Sequence, residues 1–245
     1  MTNKYMYFIA NWKMFGDIKS LKSINNVANF LKKFKYKNLS KVIYCPPNTL
    51  IHLLSKQLKF KHIETGAQNC HHIANHGAHT GFVNPLMLKN VGAKYVIIGH
   101  SENRENGESD KLINVKIKTA LKSKLHIIFC IGETLKEKNN KITKKVLAKQ
   151  IEIGLKKISS RKNILIAYEP VWAIGTGLIP KKSELLETVS FIKNKVKNTK
   201  VLYGGSVNPK NIKDLKNIDI IDGFLIGGAS QVPKKFIDII KKTFI

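Results

Sequence analysis

Short apolar segments alternate with longer amphipathic segments along the whole chain, and this alternation constrains the fold more than any other feature. The short segments show little polar alternation, which is typical of strands in a parallel sheet that is buried on both faces. The longer segments carry apolar residues at helical spacing, as Leu21, Ile24 and Val27 do within the helix predicted for residues 18–34. The predicted strands are residues 5–11, 42–45, 63–67, 95–98, 127–131, 164–168, 200–203 and 223–226.

Eight strand–helix units in 245 residues predict an α/β fold of the (β/α)8 barrel type, with eight parallel strands surrounded by helices. The alternative is an open doubly wound sheet, whose dinucleotide-binding members carry a GxGxxG turn after the first strand. The sequence has neither that turn nor a Walker A motif, and no linker or low-complexity segment interrupts the pattern. We therefore expect residues 1–245 to form a single (β/α)8 barrel domain.

The formal net charge is +27, from 43 Lys and Arg against 16 Asp and Glu. A chain this basic would suit nucleic acid or an anionic membrane as a partner. However, only Arg104 and Arg161 are arginines, the side chain favoured for forked contacts with phosphate and guanine. The lysines are also spread over the whole chain. We therefore expect solvated helix surfaces, with no nucleic-acid partner and no membrane partner.

Several features predict a cytoplasmic protein. The longest apolar runs are far too short to span a bilayer, and residues 1–10 show no secretory signal. The cysteines Cys45, Cys70 and Cys130 are odd in number and lack CxxC spacing, which fits a reducing compartment better than disulfides or zinc. One histidine-rich segment has no matching cysteine or carboxylate spacing, so we expect a surface loop and no metal site. Its members are His71, His72, His76 and His79.

Polar or glycine-rich segments follow six of the predicted strands, at the ends where (β/α)8 barrels carry their active sites. Side chains alternate in direction along a strand. If the aligned faces line the barrel, a cation, an imidazole and a carboxylate meet in one pocket. Such a set suits general acid–base chemistry beside a developing anion. The aligned pairs are Lys13 with Ile9, Glu169 with Ala167, and His100 with Ile98.

Glycine pairs follow the last two predicted strands, at residues 204–205 and 227–228. Without a Cβ atom, the backbone can approach a ligand closely and point its N–H groups at an anion. One such pair alone is more simply a tight strand-to-helix turn. Two pairs in adjacent final loops favour a phosphate site, which recurs at this position in barrels.

The segments at these strand ends resemble those of the triosephosphate isomerase family, in matching order along essentially the whole chain. The most specific match is Ala167-Tyr168-Glu169-Pro170-Val171-Trp172-Ala173-Ile174-Gly175-Thr176-Gly177. The other matching segments are Asn11-Trp12-Lys13-Met14, Gly66-Ala67-Gln68-Asn69-Cys70, Gly99-His100-Ser101-Glu102, Cys130-Ile131-Gly132-Glu133-Thr134, Tyr203-Gly204-Gly205-Ser206-Val207 and Gly227-Gly228-Ala229-Ser230.

The resemblance implies a TIM barrel that interconverts dihydroxyacetone phosphate and D-glyceraldehyde 3-phosphate through an enediolate, in glycolysis and gluconeogenesis. It implies that Glu169 is the base that moves a proton between C1 and C2, and that His100 is a neutral electrophile. Lys13 would stabilise the enediolate, and Asn11 would orient Lys13 and the substrate. Glu102 would be an additional acid at the site.

The resemblance also implies that residues 170–177 form a mobile lid whose closure excludes water from the enediolate. The substrate phosphate would rest on backbone N–H groups of Gly175, Ser206, Gly227 and Gly228. No cofactor is implied, because a side chain carries the proton.

Three positions depart from the family pattern. Phe15 stands where members usually have Asn, at the subunit interface. Phe82 and Asn103 replace a Glu and an Arg that usually form an ion pair across that interface, and replacing both partners leaves no unpaired charge. The resemblance therefore implies a homodimer with apolar packing in place of the ion pair. Its interface would be the loop Gly77-Ala78-His79-Thr80-Gly81-Phe82, which would bring Thr80 to the partner's site.

Two other functions compete with this interpretation. A different phosphate-binding barrel enzyme, such as an aldolase or a biosynthetic synthase, would need another carboxylate or a Schiff-base lysine. It would also leave the match over residues 167–177 unexplained. A nucleic-acid binder driven by the +27 charge would bind DNA in a salt-sensitive manner without isomerase turnover.

Overall fold

The computed structural model describes residues 4–58 and 60–245, and these form a closed barrel of parallel strands. Neighbouring strands follow each other in chain order, and the last strand pairs with the first. The eight predicted strands are all present, within two residues of their predicted ends. The parts of the predicted domain at residues 1–3 and 59 lie outside the described residues. The strands are β1 (Met6–Asn11), β2 (Ser40–Cys45), β3 (Ile63–Ala67), β4 (Tyr95–Ile98), β5 (His126–Ile131), β6 (Ile164–Tyr168), β7 (Lys200–Tyr203) and β8 (Gly223–Ile226).

Helices connect the strands and surround the barrel. Among the described residues, none of them is both long enough and apolar enough to cross a bilayer. The α-helices are α1 (Ile24–Lys33), α2 (Ile51–Gln57), α3 (Pro85–Asn90), α4 (Ser101–Glu105), α5 (Asp110–Lys122), α6 (Leu135–Asn139), α7 (Thr143–Gly154), α8 (Lys182–Lys195), α9 (Ile212–Lys216) and α10 (Pro233–Phe244).

Two predicted helix starts differ from the structure. The helix predicted for residues 18–34 is a 3-10 turn at Lys19–Ser23 followed by α1. Asn208 and Pro209, a polar cap followed by a proline, predict a helix start. The Asn208 side chain does accept hydrogen bonds from the N–H groups of Lys210 (2.8 Å) and Asn211 (3.2 Å), as an N-cap would. These bonds close a turn, and α9 begins only at Ile212.

Apolar residues form two layers, one inside the barrel and one between the strands and the helices. Ile9, Ile97 and Leu202 lie in the inner layer, and Phe8 and Val96 lie in the outer layer. Alternate residues of each strand therefore face opposite layers, as the pleat requires. Because the inner layer is filled with side chains, a ligand can enter only at an end of the barrel.

Candidate active site

A cavity of about 640 Å³ opens at the ends of the strands where the sequence predicted the site. Most of the predicted site residues lie in its wall, and they come from five different strand ends along the chain. Glu102 is outside the wall but pairs with Lys13. The predicted residues in the wall are Asn11, Lys13, His100, Glu169, Gly175, Ser206, Gly227 and Gly228.

Glu169 directly follows β6, and only 2% of its surface is exposed. Its Oε2 atom accepts a hydrogen bond from the N–H group of Ser101 at 3.3 Å. Its Oε1 atom has no hydrogen-bond partner among the described residues. A buried carboxylate oxygen without a partner is costly, so its presence in a cavity indicates a function.

Two glycines allow Glu169 to sit so deep. A Cβ atom at Gly132 would lie 1.7 Å from the carbonyl oxygen of Glu169, and one at Gly204 would lie 2.8 Å from its Cγ atom. Both distances are far below van der Waals contact. Gly132, after β5, therefore leaves room for the backbone of Glu169, and Gly204, after β7, leaves room for its side chain.

The strand alternation predicted for His100 is wrong. In β4 the inner-layer residues are Tyr95 and Ile97, whereas Ile98 packs against the helices. Gly99 has φ +76°, in the left-handed region, so the extended chain ends there and the alternation does not continue. That turn brings His100 into the cavity wall in spite of its parity. For Lys13 and Glu169 the premise of the prediction holds, because Ile9 and Ala167, whose directions they were predicted to share, lie in the inner layer.

The tautomer of His100 follows from its hydrogen bonds. The N–H group of Glu102 donates to Nδ1 of His100 at 3.2 Å, so Nδ1 carries a lone pair. The proton of the neutral ring is then on Nε2, which lies 3.5 Å from Oε1 of Glu169. His100 thus presents an N–H donor next to the unpaired carboxylate oxygen.

Lys13 lies two residues beyond the end of β1 and has φ +54°, which is uncommon for a residue with a side chain. Its N–H group donates to Oδ1 of Asn11 at 3.1 Å. Its Nζ atom pairs with Oε1 of Glu102 at 2.5 Å, and the other Glu102 oxygen is 3.7 Å from Nδ1 of His100. Since half of the Glu102 side chain is exposed, this ion pair is weak enough for a substrate anion to displace.

The predicted lid is anchored at its first residues and exposed at its tip. Val171–Ala173 form a 3-10 turn, and the Trp172 indole N–H donates to Oε1 of Glu133 at 2.9 Å. The ammonium of Lys138 lies 3.6 Å from the centre of the Trp172 ring. Burial raises the pKa of Glu133 above its ordinary value. Residues 175–178 are exposed, and Gly175 reaches the cavity wall.

Three polar residues of the cavity wall were not predicted from the sequence as site residues. Asn208 and Lys210 follow β7, and Lys235 lies in the first turns of α10. In a chain so rich in lysine, neither lysine carries a sequence signal that separates it from the rest. Their place beside Ser206 and Gly228 adds positive charge to the glycine-lined end of the cavity.

All three cysteines are free and buried. Burial raises the pKa of Cys130 well above its ordinary value, and the neighbouring Glu169 carboxylate adds to this shift. Burial also raises the pKa of Cys70, to about 12. These thiols are therefore protonated at neutral pH and are poor nucleophiles. No group of three or more metal-ligating side chains was found in the described part of the chain.

Two of the predicted interface residues, Phe15 and Phe82, are exposed apolar side chains. Phe15 and Phe82 are 61% and 63% exposed, and Met14 is 94% exposed. The loop at residues 77–82 is exposed throughout. The Phe82 ring lies 4.8 Å from that of His71, which also contacts His79 at 4.6 Å between ring centres. Met14 and Phe15 are neighbours in the chain, and large apolar side chains that are exposed side by side are typical of an interaction surface.

A profile of the family described as triosephosphate isomerase matches residues 6–243. The chain is 41% identical to triosephosphate isomerase of Thermodesulfovibrio yellowstonii, over 96% of this chain and 98% of that protein. It is 40% identical to the enzyme of the same name from Debaryomyces hansenii, over 96% and 97%. The crystal structure of triosephosphate isomerase from Bartonella henselae superposes with a TM-score of 0.88 at 33% identity, covering 98% of this chain and 100% of that one.

Proposed function

The chain belongs to the triosephosphate isomerase family and interconverts dihydroxyacetone phosphate and glyceraldehyde 3-phosphate in glycolysis, and we propose that Glu169 and His100 transfer its protons. The observation that carries this assignment is the buried, unpaired Oε1 atom of Glu169, 3.5 Å from Nε2 of His100 in the cavity. A carboxylate base and an N–H donor are both within reach of one small substrate there.

The Glu169 carboxylate removes a proton from C1 of dihydroxyacetone phosphate, and the electron pair of that bond forms the C1=C2 double bond. The carbonyl oxygen on C2 becomes an enediolate oxygen, which accepts a hydrogen bond from Nε2 of His100. Glu169 then returns a proton to C2. His100 gives its Nε2 proton to the C2 oxygen and takes the proton of the C1 oxygen, whose electron pair forms the new carbonyl group at C1. In total, one proton moves from C1 to C2 and one from the C1 oxygen to the C2 oxygen, so the reaction balances without a cofactor.

Lys13 stabilises the negative charge of the enediolate. Asn11 orients Lys13, because its Oδ1 atom accepts a hydrogen bond from the backbone N–H group of Lys13. In the absence of substrate, Glu102 holds the Lys13 ammonium through the 2.5 Å ion pair. A dianionic substrate competes with Glu102 for this ammonium. Glu102 is therefore the counter-ion that keeps Lys13 near the cavity between turnovers.

The phosphate group binds at the glycine-lined end of the cavity, on backbone N–H groups of Gly175, Ser206, Gly227 and Gly228. This assignment is supported by the position of all four residues in the cavity wall. Closure of residues 170–177 over the phosphate excludes water and prevents the enediolate from losing its phosphate. The anchored Trp172 is the fixed end of that movement.

The test is a coupled assay of glyceraldehyde 3-phosphate consumption with Glu169→Asp and, as a matched control, Glu152→Asp. The shorter side chain withdraws the carboxylate from the substrate, so kcat is expected to fall by about a hundredfold or more. Glu152 is an exposed residue of α7 paired with Lys195, and its variant is expected to keep the wild-type rate. Equal rates for wild type and Glu169→Asp would show that Glu169 is not the base.

We propose that the protein is a homodimer whose loop 77–82 inserts into its neighbour and brings Thr80 to the partner's site. The exposed Phe15 and Phe82 side chains support apolar packing at this interface. Sedimentation equilibrium at micromolar concentration is expected to give a dimer, and Phe82→Asp is expected to weaken it. Leu186→Asp, on the exposed surface of α8, serves as the control. A wild-type monomer would contradict the proposal.

We also propose a cytoplasmic location. The three free, buried cysteines support it, because a reducing compartment keeps thiols unpaired. Fractionation of the source cells is expected to recover the isomerase activity with cytoplasmic markers.

A further inference from the structure

We propose that Gln68 and Gln231 are positioning residues that hold the backbone of Lys13 in the conformation needed for the reaction. Neither glutamine belongs to the cavity wall, whereas Lys13 does. Their side-chain amides instead bind the carbonyl groups of Trp12 and Lys13. This inference rests on the proposed role of Lys13 in stabilising the enediolate.

Lys13 needs such support because its backbone is strained. Its φ of +54° lies in the left-handed region, where the Cβ atom crowds the following carbonyl group. β1 ends at Asn11, so Lys13 lies beyond the pairing of the strand. A strained conformation persists only where surrounding contacts fix it.

Gln68, in the loop after β3, provides one of these contacts. Its Nε2 atom donates to the carbonyl oxygen of Lys13 at 2.7 Å and to that of Cys45 at 2.8 Å. Both amide hydrogens are thus used, and they tie Lys13 to the last residue of β2. The carbonyl of Lys13 cannot rotate without breaking the bond at 2.7 Å.

Gln231, in the loop after β8, provides the second contact. Its Nε2 atom donates to the carbonyl oxygen of Trp12 at 3.1 Å. In the opposite direction, the Trp12 indole N–H donates to the carbonyl oxygen of Ser230 at 3.3 Å, and Trp12 is 2% exposed. The two loops that flank the β1–β8 seam are therefore joined by bonds in both directions, directly before Lys13.

Together with Asn11, the two glutamines fix three consecutive backbone groups. Asn11 binds the N–H of Lys13, Gln68 binds its carbonyl and Gln231 binds the carbonyl before it. The Lys13 ammonium stands at the end of a four-carbon stem, so a small rotation of this backbone displaces it by a large distance. The glutamines therefore act through Lys13 and make no contact with the reacting atoms.

The test is a double-mutant cycle in kcat/KM, made of the wild type, Gln68→Met, Lys13→Met and the double variant. Methionine keeps the approximate size of glutamine but cannot donate a hydrogen bond. We expect Gln68→Met to lower kcat/KM about tenfold in the wild-type background. In the Lys13→Met background, the same change is expected to have less than about a twofold effect, because the group that it positions is gone.

The control is Gln57→Met. The Gln57 amide also donates to a backbone carbonyl, that of Leu21 at 3.2 Å, but it lies away from the cavity. We expect it to change kcat/KM by less than about twofold while any loss of thermal stability resembles that of Gln68→Met. Gln231→Met, with one hydrogen bond to the segment, is expected to lower kcat/KM about threefold, again only when Lys13 is present.

Equal losses from Gln68→Met in both backgrounds would overturn the inference, because the glutamine would then act independently of Lys13. A similar loss from Gln57→Met would also overturn it. If Gln68→Met does not fold, the cycle built on Gln231→Met decides the question by the same criterion. If Lys13→Met alone retains full activity, the proposed role of Lys13 fails, and this outcome is distinct from additivity in the cycle.

Discussion

At the scale of single residues, the site depends on two glycines beside Glu169, where any side chain would collide with that residue. The glycines beside Glu169 leave room for a carboxylate that is buried yet keeps one oxygen without a hydrogen-bond partner. A methyl group in that space would push the carboxylate away from the substrate. Small changes in the position of a reacting group have large effects on rate.

We expect Gly204→Ala to lower kcat on the order of tenfold to a hundredfold, because the added Cβ atom would lie 2.8 Å from Cγ of Glu169. Steady-state kinetics with both substrates measures the effect. Gly154→Ala is the matched control, since its Cβ atom would crowd the Phe129 ring at 2.5 Å in the outer layer. That variant is expected to lose stability but keep its kcat, and an unchanged kcat in Gly204→Ala would contradict the prediction.

Several residues of the cavity wall could be predicted from the sequence, but some of the geometry could not. His100 and Glu169 stand out because charged or polar residues directly follow apolar strands. The direction of His100 could not be predicted from strand alternation, because the left-handed turn at Gly99 depends on backbone geometry. Lys235 could not be found at all, since its helix meets the cavity only after the barrel has closed.

At the scale of elements, Asp222 joins several parts of the barrel at the end opposite the cavity. Its carboxylate is 1% exposed, accepts from the N–H group of Val201 in β7, and pairs with Lys4 and with Lys193 of α8. Burial raises the pKa of Asp222, but the bonds from Lys193 and Val201 outweigh it, so the pKa lies below its ordinary value. The ionised carboxylate is therefore more favoured in the folded state than in the unfolded state.

We expect Asp222→Asn to lower the free energy of unfolding at neutral pH by about 1–3 kcal/mol. A lowered pKa contributes stability above the ordinary pKa of aspartate, and this is lost as pH falls through the folded value. The difference between wild type and variant should therefore shrink below about pH 4. Urea unfolding at several pH values measures it. Glu152→Gln, which removes an exposed ion pair, should show little difference at any pH.

The strands were predictable because their apolar runs end sharply at polar or glycine residues. Helix starts were less predictable, since a capped turn can precede the regular helix. Asn208 is an example: its side chain binds two following N–H groups as an N-cap does, yet the regular helix α9 begins only at Ile212.

At the scale of the whole molecule, two of the lysines that contribute to the +27 charge lie at the cavity. Lys210 and Lys235 are exposed in the cavity wall, at the end proposed to bind phosphate. Positive charge at a cavity entrance attracts a dianionic substrate and raises its association rate, and salt screens this attraction.

We expect the double variant Lys210→Gln with Lys235→Gln to lower kcat/KM and to flatten its dependence on NaCl concentration. The control is the double variant Lys56→Gln with Lys149→Gln, which removes two exposed lysines outside the cavity wall. Its net charge is the same as that of the first double variant. If both double variants behave alike, the effect is one of net charge and not of position. A wild-type kcat/KM that does not change with salt would exclude steering altogether.

We propose that residues 1–245 fold as a single domain. Pairing of β8 with β1 supports this, since the barrel cannot close until its first and last strands meet. Urea unfolding is expected to show one transition, with the same midpoint by tryptophan fluorescence and by far-UV circular dichroism. Two transitions with different midpoints would indicate separately folding parts.

Closure of the barrel by its last strand also sets an order in time. A ribosome delivers Lys13, His100 and Glu169 well before it delivers β8 and the glycines that follow it. A nascent chain released early would therefore hold every proposed proton-transferring side chain but would lack one wall of the phosphate site and the Gln231 contact to Trp12. A chain that ends before β8 is therefore expected to add nothing to the cell's flux of triose phosphates.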